Sequence, residues 1–198
     1  LGTVLRHLIV GQYPLTGASD HGYSNAIYLN DPEGNGIEIY WDKDQSEWDI
    51  LEDGSIAGIT EAMDAEAAIA AASPTFDGMP NGTIMGHVHL HIDDLDEATS
   101  FYTEVMGLGL KYKYGPAAIF LASGDYHHHL GANIWKPGQL EHPQEGAPGM
   151  AYAQWTGSQT DLDYIQEKLE ARNMDFEKAD NTLTFKDPSG LKHVVLAQ

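Results

Sequence analysis

The fold of this chain is decided by a turn and the strand after it, Asp31-Pro32-Glu33-Gly34-Asn35-Gly36-Ile37-Glu38. Proline and glycine at these spacings are typical of a tight hairpin connection, and they predict strands at 26–28 and 37–40. The Asp-Pro-x-Gly turn returns as Asp187-Pro188-Ser189-Gly190, before a predicted strand at 193–197. Two hairpins that share one turn sequence indicate an internal repeat.

A whole copy of the repeated unit lies between these two turns. Residues 84–92 alternate between histidines and aliphatic side chains, as a strand does. Asp93 or Asp94 then caps a predicted helix that ends at Gly107. Three strands are predicted to complete the unit, at 110–114, 118–122 and 130–135.

Pieces of two other units flank this copy. Residues 1–11 have the spacing of a short helix, and 150–156 and 162–169 predict a strand and a helix. Residues 41–81 show no strand pattern, and we interpret them as a linker with one short alanine-rich helix. We therefore predict an α+β fold of repeated βαβββ modules, with a partial module at 1–45, a linker at 46–81, a whole module at 82–137 and a degenerate module at 138–198.

The composition of the 198 residues excludes several classes of protein. There is no cysteine, so disulfides and zinc–thiolate sites are excluded, and any metal must be held by His, Asp or Glu. Ten basic against 30 acidic residues give a formal net charge of −20, which repels the phosphate backbone of nucleic acids. No apolar stretch approaches the roughly 18 residues of a membrane span. No signal peptide is visible, so we expect a cytoplasmic protein.

Glu38 is the most informative single residue. It lies inside an otherwise apolar strand, Ile37-Glu38-Ile39. A carboxylate there either faces solvent or is held inward by a cation, because burial of an unpaired charge is costly.

The histidines form a second signal. His87, His89 and His91 share one face of a predicted strand, where imidazoles could bind a metal or form an ordinary polar face. Residues 127–129 are three consecutive histidines, which on a strand edge would point to alternate faces, so they cannot all bind one ion. A hairpin with solvated histidines is the alternative at that position. Two further histidines look peripheral and are assigned no role, His7 and His142.

These segments resemble a known superfamily. Residues 101–108, Phe-Tyr-Thr-Glu-Val-Met-Gly-Leu, resemble the helix signature of the vicinal oxygen chelate superfamily, which includes glyoxalases, bleomycin resistance proteins and extradiol dioxygenases. Residues 21–26 and 31–38 are similar to the metal-bearing module of extradiol ring-cleaving dioxygenases. The whole chain resembles four-module catechol 2,3-dioxygenases of the bacillus type, from within the second module to the end of the fourth.

The resemblance implies a set of roles. In that family two His and one Glu hold a non-haem Fe(II) or Mn(II) in a cup formed by two modules, which leaves positions open for a chelating catechol and O2. By motif, Glu38 and His87 match two of the three ligands. His128 best matches the histidine that transfers protons, with His127 as the alternative, because strand alternation does not fix which one faces the cup. His21 and Tyr28, which we place on the same hairpin as Glu38, match residues that contact the substrate oxygens, so both are catalytic candidates.

The chain departs from the family pattern in two places. The second histidine ligand would lie on a strand before the Glu38 hairpin, and we expect it upstream of Leu1. In the last module Val194 stands where Glu38 stands, so no second metal site is expected, and His193 is expected to be structural.

The leading hypothesis is therefore a metal-dependent extradiol dioxygenase that acts on a small aromatic diol and O2. A glyoxalase-like isomerase or lyase and a non-catalytic drug-sequestering protein are the alternatives, and the fold alone does not separate them. We expect no nucleic-acid or membrane partner. A homo-oligomer is compatible with the sequence, which fixes neither the oligomeric state nor the ring substituents of the substrate.

Overall fold

The computed structural model describes residues 1–135 and 148–198, which divide into two compact units, residues 1–85 and residues 86–198. In the described residues no helix has the length and apolar character needed to cross a membrane. The α+β fold class predicted from the sequence is confirmed.

The first unit is one antiparallel sheet with two helices. Its strands lie in the order β3-β2-β1-β4, and its core is centred on the fully buried Ile27 with Val4, Leu5 and Leu8 of the first helix. The elements are α1 (Gly2–Val10), β1 (Leu15–Asp20), β2 (Ser24–Asn30), β3 (Gly36–Asp42), a 3₁₀ turn (Gln45–Glu47), β4 (Glu61–Ala62) and α2 (Ala65–Ala70).

The predicted hairpin between β2 and β3 forms as the turn sequence requires. The Asp31 carboxylate accepts hydrogen bonds from the backbone N–H groups of Glu33 and Asn35 at 2.9 and 2.8 Å. Gly34 has a φ of +88°, a conformation that a residue with a Cβ rarely adopts. The turn therefore fixes the register of the two strands it joins.

The second unit contains two βαβββ modules with the same topology. The first consists of β5 (Val88–His91), α3 (Leu95–Glu104), β6 (Gly109–Tyr114), β7 (Ala118–Ala122) and β8 (Leu130–Asn133). The second consists of β9 (Ala153–Gly157), α4 (Gln159–Ala171), β10 (Phe176–Ala179), β11 (Thr182–Lys186) and β12 (Lys192–Ala197). In each module the last strand pairs in parallel with the first strand and antiparallel with the strand before it, as the internal repeat predicts.

One hydrophobic core joins the two modules of the second unit. Fully buried residues of α3, such as Phe101 and Tyr102, belong to the same cluster as Leu169 of α4 and Leu183 of β11. The helices and sheets of both modules therefore bury their apolar faces in one shared core.

The structure corrects the secondary-structure prediction at several points. β1 and β10 have no predicted counterpart, β11 was implied only as the strand before the turn at 187–190, and the proposed linker contributes β4 to the first sheet. Of the two candidate caps of α3, Asp94 is the N-cap, since its carboxylate accepts from the N–H of Glu97 at 2.8 Å. β1 was missed because its sequence, Leu-Thr-Gly-Ala-Ser-Asp, has little strand propensity and is held by pairing on both sides.

Candidate active site

Three candidate residues of the first unit form a hydrogen-bonded chain. Tyr28 on β2 is directly opposite Glu38 on β3, and its hydroxyl donates to Glu38 Oε1 at 3.0 Å. His21 Nε2 lies 2.5 Å from the same hydroxyl, and its Nδ1–H donates to the carbonyl of Ile59 at 3.0 Å. The structure thus brings the three residues together, although His21 lies in the turn between β1 and β2 and not, as expected, on the β2–β3 hairpin.

Strand alternation explains why these side chains share a face. Ile27 and Ile39, which are also opposite each other, pack into the core, so Tyr28 and Glu38 project from the other face of the sheet. Glu38 is partly buried and held by hydrogen bonding rather than simply solvated. Of the two apolar neighbours that made Glu38 unusual in the sequence, Ile39 packs against the core and anchors the strand, whereas Ile37 is exposed.

The hydrogen bonds of this chain constrain where its protons lie. A carbonyl only accepts, so His21 Nδ1 carries a proton. The single hydroxyl proton of Tyr28 goes to Glu38, which leaves the phenol oxygen to accept from His21 Nε2. A neutral imidazole, a phenol and a carboxylate together hold two protons, but the three hydrogen bonds need three. All three bonds are therefore made together when these side chains hold one additional proton, shared between the two ring nitrogens of His21.

The electrostatics keep Tyr28 protonated. Burial raises the pKa of the Tyr28 phenol far above its ordinary value, and the charge and the hydrogen bond of Glu38 raise it further. Tyr28 is therefore a hydrogen-bond donor to the carboxylate and not a base.

In the second unit His127 and His128 form a buried pair. Their Nδ1 atoms are 2.7 Å apart, and only 2% of His127 and 5% of His128 is exposed. Residues 127–129 lie in the bend between β7 and β8, so the expectation of a strand edge with alternating faces was wrong. A hairpin with solvated histidines is likewise excluded for these two residues by their burial.

His87 lies directly before β5 and is distinguished from the other two histidines of that face by its neighbour. Its ring centroid is 4.2 Å from that of His128. His89 instead lies over Gly131, where an added Cβ would be 2.8 Å from its Nδ1, and His91 Nδ1 is 2.8 Å from the side-chain oxygen of Asn133. His89 and His91 thus match the interpretation of a polar strand face, whereas His87 is next to the buried pair.

His129, the third consecutive histidine, has a different role. Its Nδ1 accepts a hydrogen bond from the backbone N–H of Ser123 at 3.2 Å, so a neutral ring carries its proton on Nε2. Burial lowers the pKa of His129, and the charges of His127 and His87 lower it further. His129 is therefore favoured in the neutral form and supports the bend.

A buried polar network in the second unit was missed by the sequence analysis. The Tyr102 hydroxyl donates to Asp187 Oδ2 at 2.5 Å and lies 3.3 Å from His193 Nε2. Trp155 Nε1–H donates to His193 Nδ1 at 2.9 Å, and His193 is completely buried. The expected structural role of His193 is consistent with these contacts. The sequence could have pointed to Asp187, because Asp187 is the aspartate of the repeated Asp-Pro-x-Gly turn.

The candidate ligands have the right chemistry for the expected metal, but the described residues do not form a complete metal site. Carboxylate and imidazole suit Fe(II) and Mn(II), and Glu38 and His87 belong to the first and second unit respectively. Within residues 1–135 and 148–198 no group of three or more His, Asp or Glu side chains is arranged to hold a metal ion. His142 lies outside the described residues.

Comparison with known proteins adds an independent line of evidence. A sequence model of the Glyoxalase/Bleomycin resistance protein/Dioxygenase superfamily matches residues 84–194. The chain is 37% identical over 191 residues to the catechol-2,3-dioxygenase of Bacillus subtilis (strain 168), a match that covers 95% of this chain and 67% of that protein.

Two solved structures that match part of the chain have the following identity and coverage. The lactoylglutathione lyase of Agrobacterium tumefaciens is 21% identical, with a TM-score of 0.43 and coverage of 60% of this chain and 96% of that chain. A glyoxylase/bleomycin resistance protein/dioxygenase domain from Frankia sp. EAN1pec is also 21% identical, with a TM-score of 0.46 and coverage of 62% and 98%.

Proposed function

Because this chain belongs to the glyoxalase, bleomycin resistance protein and dioxygenase superfamily, we propose that it is an extradiol dioxygenase that opens the ring of a catechol-type aromatic diol with O2. The observation that carries the proposal is the 37% identity to a catechol-2,3-dioxygenase along 95% of the chain. The hydrogen-bonded carboxylate of Glu38 and the buried histidines of the second unit support it with residues of the required chemistry.

The proposed ligands of a non-haem Fe(II) or Mn(II) are Glu38 and His87. When bound, such a metal acts as a Lewis acid and holds the diol and O2 next to each other. Tyr28 donates a hydrogen bond to the Glu38 carboxylate and so fixes the orientation of that carboxylate. His21 contacts the Tyr28 hydroxyl through Nε2 and so fixes the position of the hydroxyl. Residues that orient a metal-binding carboxylate in this way commonly affect metal affinity or activity by about 10–100-fold.

His128 is the proposed proton carrier. A catechol must lose hydroxyl protons before it can chelate, and an imidazole with an ordinary pKa near 6.5 accepts and returns a proton around neutral pH. Burial of His128 among Phe120 and two other imidazoles limits the access of water, which would otherwise compete for the proton. The ring of Phe120 meets His128 edge-to-face with centroids 5.0 Å apart and so restricts its rotation.

The test is ring opening by the protein loaded with Fe(II) without oxygen and then exposed to air and catechol. We expect a yellow ring-opened semialdehyde as the product, and its formation is measured by its absorbance in the visible range. If metal is bound in stoichiometric amount and no catechol is opened, the proposal of an extradiol dioxygenase is wrong. A glyoxalase-like isomerase or lyase would instead convert its substrate without consuming O2, which an oxygen electrode distinguishes.

Two substitutions separate the proposed roles. Glu38→Ala should lose most of the bound metal, because it removes a ligand, whereas His128→Ala should retain metal and slow ring opening. Metal analysis after gel filtration, together with the rate of product formation, measures both. Unchanged metal content in Glu38→Ala would show that Glu38 is not a ligand.

A further inference from the structure

His193 of β12 is the centre of a hydrogen-bonded chain that lies outside the residues proposed for catalysis. Its Nδ1 is 2.9 Å from Trp155 Nε1, and its Nε2 is 3.3 Å from the Tyr102 hydroxyl, which in turn bonds to Asp187 Oδ2. The side chain of His193 is completely buried, so water does not replace these partners. The protons of the chain are therefore those of its four side chains.

The indole of Trp155 fixes the tautomer of His193. An indole N–H only donates, so Nδ1 of His193 must accept and carries no proton. A neutral ring then has its proton on Nε2. The Tyr102 oxygen is free to accept this proton, because the hydroxyl proton of Tyr102 is donated to Asp187. All donors of the chain thus point in one direction, from the indole to the Asp187 carboxylate.

The surroundings of His193 also accommodate a second protonation state. Among the described residues two titratable groups face the ring, Tyr102 of α3 and Asp187 of the turn before β12. The other two rings in contact with it, Trp155 of β9 and Phe185 of β11, do not titrate. Asp187 Oδ2 is 3.6 Å from Nε2, and a carboxylate at this distance compensates the charge of an imidazolium. His193 can therefore be protonated inside the folded protein.

We propose that the Trp155–His193 hydrogen bond is an acid-sensitive latch between β9 and β12, the parallel first and last strands of the second module. When a proton from solvent binds to Nδ1 of His193, an N–H bond forms there and uses the lone pair that accepted the indole proton. Two N–H groups cannot bond to each other, so the indole must release His193. Trp155 is only partly buried, which lets its N–H turn to water in the released state.

The first test follows both partners in one acid titration of the wild-type chain. In ¹⁵N-labelled protein, prepared without paramagnetic metal, His193 should be protonated on Nε2 and bare on Nδ1 in mildly alkaline solution. As the pH falls, the Nδ1 signal of His193 and the indole N–H signal of Trp155 should shift together with one common midpoint. Exchange of that indole proton with solvent should accelerate through the same midpoint. Both signals are assigned through the backbone, so no variant is needed.

Trp48 provides the internal control in the same spectra. Its Nε1–H donates to the backbone carbonyl of Lys43 at 3.1 Å, an acceptor that does not titrate, so its indole signal should not follow the midpoint of His193. Each of three results overturns the proposal. They are a proton on Nδ1 of the neutral His193 ring, an indole bond that persists after His193 is protonated, and a His193 that stays neutral until the whole protein unfolds.

A substitution tests the same coupling through stability. Trp155→Phe keeps an aromatic ring and removes the N–H. It should lower the melting temperature where His193 is neutral and have a smaller effect below the midpoint of His193, where the wild type has already lost the bond. Trp48→Phe, the matched variant, should have the same effect on both sides of that midpoint.

An effect of Trp155→Phe that is equal on both sides of the midpoint, or larger in acid, contradicts the latch. The NMR titration uses the wild type and decides the question even if Trp155→Phe fails to fold. Both tests are independent of the proposed function, because neither depends on whether the protein opens catechol.

Discussion

Tyr28 and Glu38 are direct partners in the antiparallel pairing of β2 and β3, and the phenol of Tyr28 donates to the Glu38 carboxylate at 3.0 Å. The Asp31 turn sets the register that makes them partners. Their hydrogen bond explains how a carboxylate is kept within an apolar strand, because burial of the charge is compensated by a donor.

The Tyr28→Phe variant tests this relationship. It removes the donor and keeps the ring, so the Glu38 carboxylate loses its orientation while the sheet remains. We expect ring opening of catechol to slow by about 10–100-fold, with a far-ultraviolet circular dichroism spectrum like that of the wild type. Initial rates at saturating metal and substrate measure the effect.

Tyr13→Phe is the matched control, because Tyr13 is 54% exposed and outside the hydrogen-bonded chain of Tyr28. It should have the activity of the wild type. Equal activity of Tyr28→Phe and Tyr13→Phe would mean that the phenol of Tyr28 does not matter for Glu38.

The buried network of the second unit makes a prediction about stability. Tyr102→Phe deletes the hydroxyl that donates to the buried carboxylate of Asp187. We expect the free energy of unfolding to fall by about 1.5–3 kcal/mol, the range for a hydrogen bond to a charged group. Tyr164→Phe, which removes a hydroxyl bonded to the carbonyl of Glu104 at the surface, should cost about 0.5 kcal/mol. Urea titration followed by tryptophan fluorescence compares the two, and equal losses would argue against the network.

The same carboxylate predicts a dependence of stability on pH. Burial would raise the pKa of Asp187, but hydrogen bonds from His193 and Tyr102 outweigh it, so the pKa lies below its ordinary value of 3.8. A group with a depressed folded-state pKa stabilises the protein above its unfolded pKa, and this contribution is lost as the pH falls towards the folded value.

Asp187→Asn cannot make that contribution, and it provides the comparison. The difference in the free energy of unfolding between wild type and Asp187→Asn should shrink as the pH is lowered from about 6 to about 3. Many other carboxylates titrate in this range, but they are common to both proteins and cancel in the difference. A difference that is constant or grows on acidification would contradict the depressed pKa.

Close approach of two helices in the first unit gives a further prediction. A Cβ added to Gly2 of α1 would be 1.8 Å from the carbonyl oxygen of Ala68 in α2, and neither helix can yield there without a backbone shift. Gly2→Ala should therefore lower the free energy of unfolding by about 1–3 kcal/mol. Gly36→Ala, whose added Cβ would meet no atom within 4 Å, should have almost no effect in the same thermal denaturation experiment. Identical melting temperatures would show that α1 does not pack as described.

The repeated turn and the periodic segments made most of the fold predictable. The Asp-Pro-x-Gly turns, the alternation at 84–92 and the helix ending at Gly107 are local signals, and the modules they predicted are present. β1 and β10 were not predicted, because neither segment alternates clearly between buried and exposed residues, and β11 was implied only as the strand before the predicted turn at 187–190. The module boundaries and the assignment of metal ligands stay predictions.

The candidate site was predictable to a similar degree. Glu38 was found because a charge in an apolar strand is a local anomaly, Tyr28 because it shares the hairpin of Glu38, and His21 because it precedes that hairpin closely in the sequence. The pairing of His127 with His128 was not foreseen, since the alternation of a strand is the wrong rule for residues in a bend. The family resemblance singled out His87 by motif, and the structure separates it from His89 and His91 through its contact with His128.

By itself the sequence determined the repeated module, the superfamily resemblance and the unusual position of Glu38, because turns, caps and strand alternation act between residues close along the chain. Only the tertiary structure decided that Tyr28 donates to Glu38, that two consecutive imidazoles are buried together, and that Tyr102 bonds to Asp187, 85 residues away. Contacts of the last kind depend on how whole elements pack, and the periodic pattern of a segment indicates which of its faces is buried but not which distant residue that face contacts.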